Sequence, residues 1–175
     1  KKVSFYESCN VHFIVGNTYS VKIIAESNVI DHIEVSNIGG MLRIKPKDGI
    51  CIQAQDLQVF ITAPSIETIE AKGTTTLSGQ INADQLSIIV DGTMDMNLAG
   101  YARQFSLLTH GTCDFHLYDM EVTTAMIQCD GTARGTIRCA EQLNIEVNGT
   151  AFIKYKGTPK ISQQVSGSGS VINDN

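Results

Sequence analysis

The feature that most constrains the fold of this chain is a short repeat in its second half. Among its glycines followed by threonine or serine, six recur at an even spacing, at Gly73, Gly92, Gly111, Gly131, Gly149 and Gly167. The intervals between these glycines are 19, 19, 20, 18 and 18 residues. Such an even spacing is typical of repeat proteins. In these proteins one unit cannot bury its own apolar side, and the neighbouring units cover that side.

Each repeat also carries an alternation of apolar and polar residues. Before Gly92 the apolar positions are Leu86, Ile88 and Val90, and Met94 continues the same phase after the glycine. A period of two with one apolar face indicates a half-buried strand. The chain has 15 glycines and only three prolines, which fits strands separated by glycine turns.

The constant phase of the repeats predicts an all-β fold, specifically a right-handed parallel β-helix, or solenoid, with coils of about 19 residues. Equivalent residues of successive coils would lie about 4.8 Å apart in such a fold. Residues 1–60 alternate less regularly, and we expect them to form irregular coils or a cap on the regular coils of residues 61–175. No linker composition separates the two parts, so we expect residues 1–175 to form a single domain.

Composition and charge exclude several classes of protein. The 13 Lys and Arg against 18 Asp and Glu give a net charge of −5, which excludes binding to nucleic acid through a basic face. No window approaches the roughly 18 uninterrupted apolar residues of a membrane-spanning helix. The sequence therefore predicts neither a nucleic-acid partner nor a transmembrane segment in this chain.

The five cysteines do not indicate a metal site or a complete disulfide framework. Their number is odd, and they form no C-x-x-C pair. Cys113 and Cys129 fall on the apolar phase, so we expect them to be buried and inert. Cys9 and Cys51 could pair within the irregular N-terminal part. We expect no metal and no cofactor.

The residues that precede the repeated glycines form the first candidate ligand-binding set. Stacked repeats would place Asp91, His110 and Asp130 side by side. Such a triplet suits acid/base chemistry or metal binding, but a solvated ladder of exposed polar side chains is the favoured interpretation, because exposed pairs of this kind contribute only about 0 to 1 kcal/mol.

A second candidate set comprises Asp95, Asp114 and His116, with Arg134 one repeat further on. The two carboxylates could share a divalent cation. An ion pair between Asp114 and Arg134 is the favoured interpretation, since the set offers too few oxygen ligands for a cation.

A third candidate set lies on one strand and comprises Phe152, Lys154 and Lys156. The two lysines face the same side and could hold a carboxylated glycan, while Phe152, with Tyr101 or Tyr118, could stack on a sugar ring. The alternative is an ordinary mixed-charge surface. Because the non-catalytic interpretation is favoured for each set, we predict no catalytic residue.

Several segments resemble the head GIN domain family of auto-transporter adhesins. They are residues 59–64 (VFITAP), the spaced Gly-Thr units, residues 165–171 (VSGSGSV), and the upstream residues 16–23 and 40–44. The resemblance covers nearly the whole chain, although Gly-Thr replaces the Ser-Gly-Ser-Gly signature common in that family in five of six units. It implies a right-handed parallel β-helix in an exported, periplasmic or cell-surface protein of Bacteroidetes-type bacteria, and it carries over no catalytic residue.

Together these observations predict a non-catalytic domain of the cell envelope, an adhesin that presents a repetitive polar surface to a glycan or a surface protein. A first alternative is a structural module that forms homo-oligomers through its ends. A second is an enzyme similar to the polysaccharide lyases, many of which are β-helices. The chain begins at Lys1 without Met, which is compatible with removal of a signal peptide, and anchoring through a lipid before trimming stays open.

Overall fold

The computed structural model describes residues 1–6, 8–48 and 57–175, and almost all of this part of the chain is extended. The strands and the short helix follow one another in this order: β1 (Lys2–Phe5), β2 (Cys9–Val15), β3 (Ser20–Ile24), α1 (Ser27–Ile30), β4 (Ile33–Ile38), β5 (Met41–Pro46), β6 (Gln58–Ala63), β7 (Thr68–Lys156) and β8 (Lys160–Asn173).

The described strands form one sheet, curled into a half-barrel, in the order β3-β6-β2-β7-β1-β5-β4, with β8 paired to β7. Strands β1 and β2 each pair in parallel with β7, and their other edges pair in parallel with β5 and β6. The outer strands β3 and β4 run antiparallel to β6 and β5. The order of the sheet is therefore mixed.

The all-β prediction is correct, but the predicted right-handed parallel β-helix with coils of about 19 residues is wrong. The sheet is a curled half-barrel of mixed parallel and antiparallel order, and one strand, β7, runs through 89 residues. Alternation of apolar residues reports which face of a strand is buried and says nothing about the direction of its neighbour. The antiparallel pairing of β4 with β5 is set instead by a local turn.

The turn between β4 and β5 shows how this happens. Ile38 pairs with Met41, which leaves Gly39 and Gly40 as a two-residue loop with φ angles of +61° and +79°. Two consecutive residues with positive φ form the type I′ turn that joins antiparallel strands, and glycine adopts it without strain. This Gly-Gly pair is therefore a hairpin signal within the irregular part of the sequence.

The buried core follows the alternation that the sequence shows. Leu86, Ile88 and Val90 are all almost fully buried, as are the equivalent side chains of the next three repeats. In the last repeat Ile161 and Val165 are only partly buried and Gln163 is exposed. Cys113 and Cys129 are buried as predicted, and burial raises their pKa values to about 12 and about 11. Cys51 lies outside the described residues, so its pairing with Cys9 stays a prediction.

The repeated glycines bring residues of successive repeats together. Fully extended, β7 would span about 290 Å, but it bends so that glycines one repeat apart are in contact. A Cβ atom added to Gly92 would lie 2.3 Å from the carbonyl oxygen of Gly73, and one added to Gly111 would lie 2.1 Å from that of Gly92. The same contact recurs at Gly131, Gly149 and Gly167. Side chains next to these glycines are therefore close neighbours.

Candidate functional site

The first candidate set forms a connected row on the surface of β7. His110 Nδ1 lies 3.1 Å from Asp91 Oδ1, and His110 Nε2 lies 3.9 Å from Asp130 Oδ2. The row continues into the next repeat, where Asn148 Nδ2 donates a hydrogen bond of 2.9 Å to Asp130 Oδ1. The glycine contacts position these residues, because each side chain directly precedes one of the repeated glycines. We call these four residues the Asp-His row.

The Asp-His row is open to solvent. The side chains of Asp91, His110 and Asp130 are each about half exposed. Water competes with such pairs, which typically contribute about 0 to 1 kcal/mol to stability. Among the described residues, no group of three or more His, Cys, Asp or Glu side chains has a geometry that could hold a metal ion.

The second candidate set is less connected. Asp95, His116 and Arg134 are exposed and Asp114 is half-buried. No ion pair within 4.0 Å joins Asp114 to Arg134 in the part of the chain that the structure describes, although the sequence favours one. The structure thus leaves these side chains facing solvent separately.

The third candidate set is divided between two kinds of partner. Lys154 Nζ lies 3.5 Å from Asp174 Oδ1, whereas Lys156 Nζ lies 4.5 Å from the centre of the Tyr118 ring in a cation–π contact. Phe152 is 49% exposed. The two lysines therefore already have partners of their own, and Phe152 is an exposed aromatic ring beside them in sequence.

These contacts belong to a cluster that sequence analysis did not identify. The Tyr118 hydroxyl donates a hydrogen bond of 2.7 Å to Asp174 Oδ2. Asn175 bonds both to the backbone N–H of Gly157, at 2.7 Å, and to its carbonyl oxygen, at 2.8 Å. We call Tyr118, Lys154, Gly157, Asp174 and Asn175 the C-terminal clamp, since they hold residues 174 and 175 against β7.

Ionisation in the C-terminal clamp follows from this geometry. Burial, and then the hydrogen bond to Asp174, raises the pKa of Tyr118 to about 12. The Tyr118 hydroxyl holds the pKa of Asp174 below its usual range, and the neighbouring Lys154 and Lys156 act in the same direction. The carboxylate is thus favoured as an anion by three groups around it.

The structure also contains an open groove that sequence analysis missed. The groove has a volume of about 750 Å³ and crosses several repeats. Its lining includes one polar residue per repeat, each directly before a buried apolar position: Gln85, Gln104, Thr124 and Gln142. A second row of lining residues lies two positions later in each repeat: Ser87, Ser106, Met126 and Asn144. The sequence signal that could have revealed the groove is the recurrence of a polar residue at the first of these two positions in each repeat, away from the positions next to the glycines.

The only helix in the described residues is α1, which has four residues and is too short to cross a membrane.

Comparison with known proteins places the chain among adhesin-like sequences. Residues 1–159 match the family model described as "Putative auto-transporter adhesin, head GIN domain". No curated protein sequence matches the chain.

Several solved structures resemble this one. A putative adhesin from Bacteroides fragilis NCTC 9343 has a TM-score of 0.75 and 19% identity, over 98% of this chain and 91% of the other. A putative adhesin from Parabacteroides merdae ATCC 43184 has a TM-score of 0.53 and 15% identity, over 99% and 91%. A putative lipid binding protein from Parabacteroides distasonis ATCC 8503 has a TM-score of 0.51 and 14% identity, over 99% and 92%. At these identities the likeness concerns the fold alone.

Proposed function

The chain belongs to the head GIN domain family, and from that membership we propose that it is a non-catalytic domain of the cell envelope that binds a surface ligand through rows of repeated polar side chains. The ligand is a glycan or a protein of another cell surface. The family and the structural relatives named as putative adhesins support this proposal.

The observation that carries the proposal is the continuity of the Asp-His row across four repeats. Its members contact one another at 2.9 to 3.9 Å, and they remain about half exposed. A ligand with repeating groups would meet a similar set of donors and acceptors at each repeat. Many weak contacts then add up to useful affinity, since each contact after the first forms at a high effective concentration.

The same geometry argues against catalysis at His110. Enzymes perform acid/base chemistry in sites that exclude water, where charges act strongly on the reacting atoms. Here the imidazole lies between two exposed carboxylates, and about half of its own surface is open to water. The row is therefore better suited to recognition than to a reaction.

The proposal can be tested by binding to arrays of glycans and of bacterial and host surface proteins. The variant Asp91→Asn/His110→Gln/Asp130→Asn keeps the size of each side chain but removes the charges of the row. We expect it to bind the array ligand at least tenfold more weakly. His32→Gln is the matched control, because His32 is also exposed but lies outside the row.

Two results would contradict the proposal. One is the absence of any bound ligand on either array. The other is the release of unsaturated sugar ends from an acidic polysaccharide, which would identify the chain as a lyase.

A second candidate function, assembly with other copies, is favoured by strand β8. Among the described strands, β8 pairs with β7 alone, so its second edge has unpaired backbone groups. Ile161, Val165 and Val171 are only partly buried, and Ile172 is 48% exposed. Open edges of this kind pair with other chains unless charge or another element covers them.

Light scattering tests assembly directly. We expect the measured mass to rise with concentration, and the double variant Ser168→Lys/Ile172→Lys to stay at the mass of one chain because lysine on an edge strand blocks pairing. A single-chain mass at every concentration would reject this candidate.

A further inference from the structure

We infer that the open groove lined by Gln85, Gln104, Thr124 and Gln142 binds an uncharged polysaccharide in an extended conformation. We call it the amide groove. This inference rests on the proposed function in one respect only, that the domain binds surface ligands. It adds a second binding site to the Asp-His row and names the class of ligand for that second site.

Two of the four side chains that define the amide groove are free to bond to a ligand, and the other two make a single long hydrogen bond each. Within the described ranges, the amides of Gln85 and Gln104 are exposed and make no hydrogen bond to protein. Gln142 bonds only to Asn144, at 3.3 Å, and Thr124 donates to the carbonyl oxygen of Arg103, also at 3.3 Å. Each free amide offers two donors and one acceptor oxygen, which can bond to adjacent hydroxyl groups of a sugar.

The charge of the lining selects an uncharged ligand. Among the lining residues, the charged side chains are Lys2 and Glu67, and they are of opposite sign. Glu67 already forms an ion pair of 3.0 Å with Lys1. An acidic polysaccharide would find no cationic row along the groove, and a polycation would find no anionic one. Hydroxyl groups are therefore the partners that the glutamine amides fit best.

The dimensions of the groove suit an extended chain of sugars. Neighbouring strands lie about 4.8 Å apart, which is close to the length of one sugar unit in an extended polysaccharide. The volume of about 750 Å³ falls within the range of ligand sites, roughly 300 to 1,000 Å³. Met126, which is 42% exposed, gives the groove an apolar side chain for the C–H face of a sugar ring.

Affinity electrophoresis through gels that contain a soluble polysaccharide tests this inference. The uncharged polysaccharides are hydroxyethyl cellulose, a mixed-linkage β-glucan, a galactomannan and an arabinan, and polygalacturonate is the acidic comparator. We expect retardation by at least one uncharged polysaccharide and none by polygalacturonate. Gln85→Ala and Gln104→Ala should each raise the dissociation constant about three- to tenfold, as loss of one or two hydrogen bonds implies.

The matched control is Gln163→Ala, because Gln163 is an exposed glutamine on β8 outside the groove. It should bind like the unmodified chain. The thermal unfolding of all variants should coincide, since the substituted side chains are exposed.

The other outcomes separate failure of this inference from failure of the proposed function. Retardation by polygalacturonate that Lys154→Ala abolishes would move the ligand to the lysines of β7 and overturn the amide groove while leaving the proposed function intact. A protein ligand lost in the Gln85→Ala/Gln104→Ala variant would overturn the carbohydrate assignment. No retardation by any of the uncharged polysaccharides overturns the inference, and an absence of ligands on the arrays as well would overturn the proposed function.

Discussion

Replacing Thr109 with valine should stabilise the protein. Thr109 is 0% exposed, and its hydroxyl has no hydrogen-bond partner among the described residues. The equivalent positions in other repeats hold Val90, Cys129 and Val147, which are all buried. Valine is thus a residue that this position already accommodates elsewhere in the chain, and Thr109 is the one polar residue of the four.

The size of the effect follows from the unpaired hydroxyl. Burial of a polar group without a partner costs about 1 to 3 kcal/mol in proteins. Valine replaces the hydroxyl by a methyl group of similar size, so it leaves no cavity, and we expect a gain in unfolding free energy of about 1 to 2 kcal/mol. In a chain of this length each kcal/mol raises the melting temperature by about 2 to 4 °C.

Urea denaturation followed by circular dichroism measures this gain, and an unchanged m value would show that only stability differs. Thr93→Val is the control, because Thr93 is exposed in the preceding repeat and its replacement should change stability by less than about 0.5 kcal/mol. A Thr109→Val variant that is no more stable than the unmodified chain would refute the reasoning, since the hydroxyl would then have a partner of its own.

Two further predictions concern the glycine contacts and the C-terminal clamp. Gly111→Ala places a Cβ atom 2.1 Å from the Gly92 carbonyl oxygen at a φ of +146°. It should therefore lower the free energy of unfolding by more than backbone strain alone, which costs about 1 to 3 kcal/mol. Gly39→Ala, at a φ of +61° with open space around the added atom, should lower it by that strain only. If urea denaturation showed the same loss of unfolding free energy for both variants, the close contact between Gly111 and Gly92 would be contradicted. Because the pKa of Asp174 is lowered in the folded chain, ionised Asp174 stabilises the protein at pH values above 3.8, the ordinary pKa of this group. That stabilisation is lost as the pH falls through the lowered pKa. In a carboxyl titration by NMR, Tyr118→Phe should raise the Asp174 pKa toward 3.8, and an unchanged pKa would exclude the role of the hydroxyl.

The sequence predicted which side chains are buried far better than how the strands pair. Leu86, Ile88 and Val90 are buried because alternation is a local property that each strand expresses by itself. The antiparallel pairing of β3 with β6 joins segments far apart in the chain, and no local pattern encodes the direction of such a pair. The fold class was therefore correct, and its architecture was not.

The candidate sites divide in the same way. The contact between His110 and Asp91 could be predicted because both residues hold the same position in consecutive repeats. The contact between Tyr118 and Asp174 could not, because the two residues are 56 positions apart and hold no equivalent place in the repeat. The sequence analysis did not predict the amide groove, because it considered only the polar residues near the repeated glycines. Gln85 and Gln104 hold a different polar position of the repeat, directly before its first buried apolar residue.

The C-terminal clamp would have a mechanical consequence if the domain binds a surface ligand as proposed. Strand β8 pairs in parallel with β7 along its whole length, from Lys160 to Asn173. A load applied from the C-terminal side and directed away from the sheet would peel these hydrogen bonds apart one after another, beginning at Asn173. The bonds of Asp174 and Asn175 lie where that peeling must start. They would therefore set the force at which the strand begins to detach.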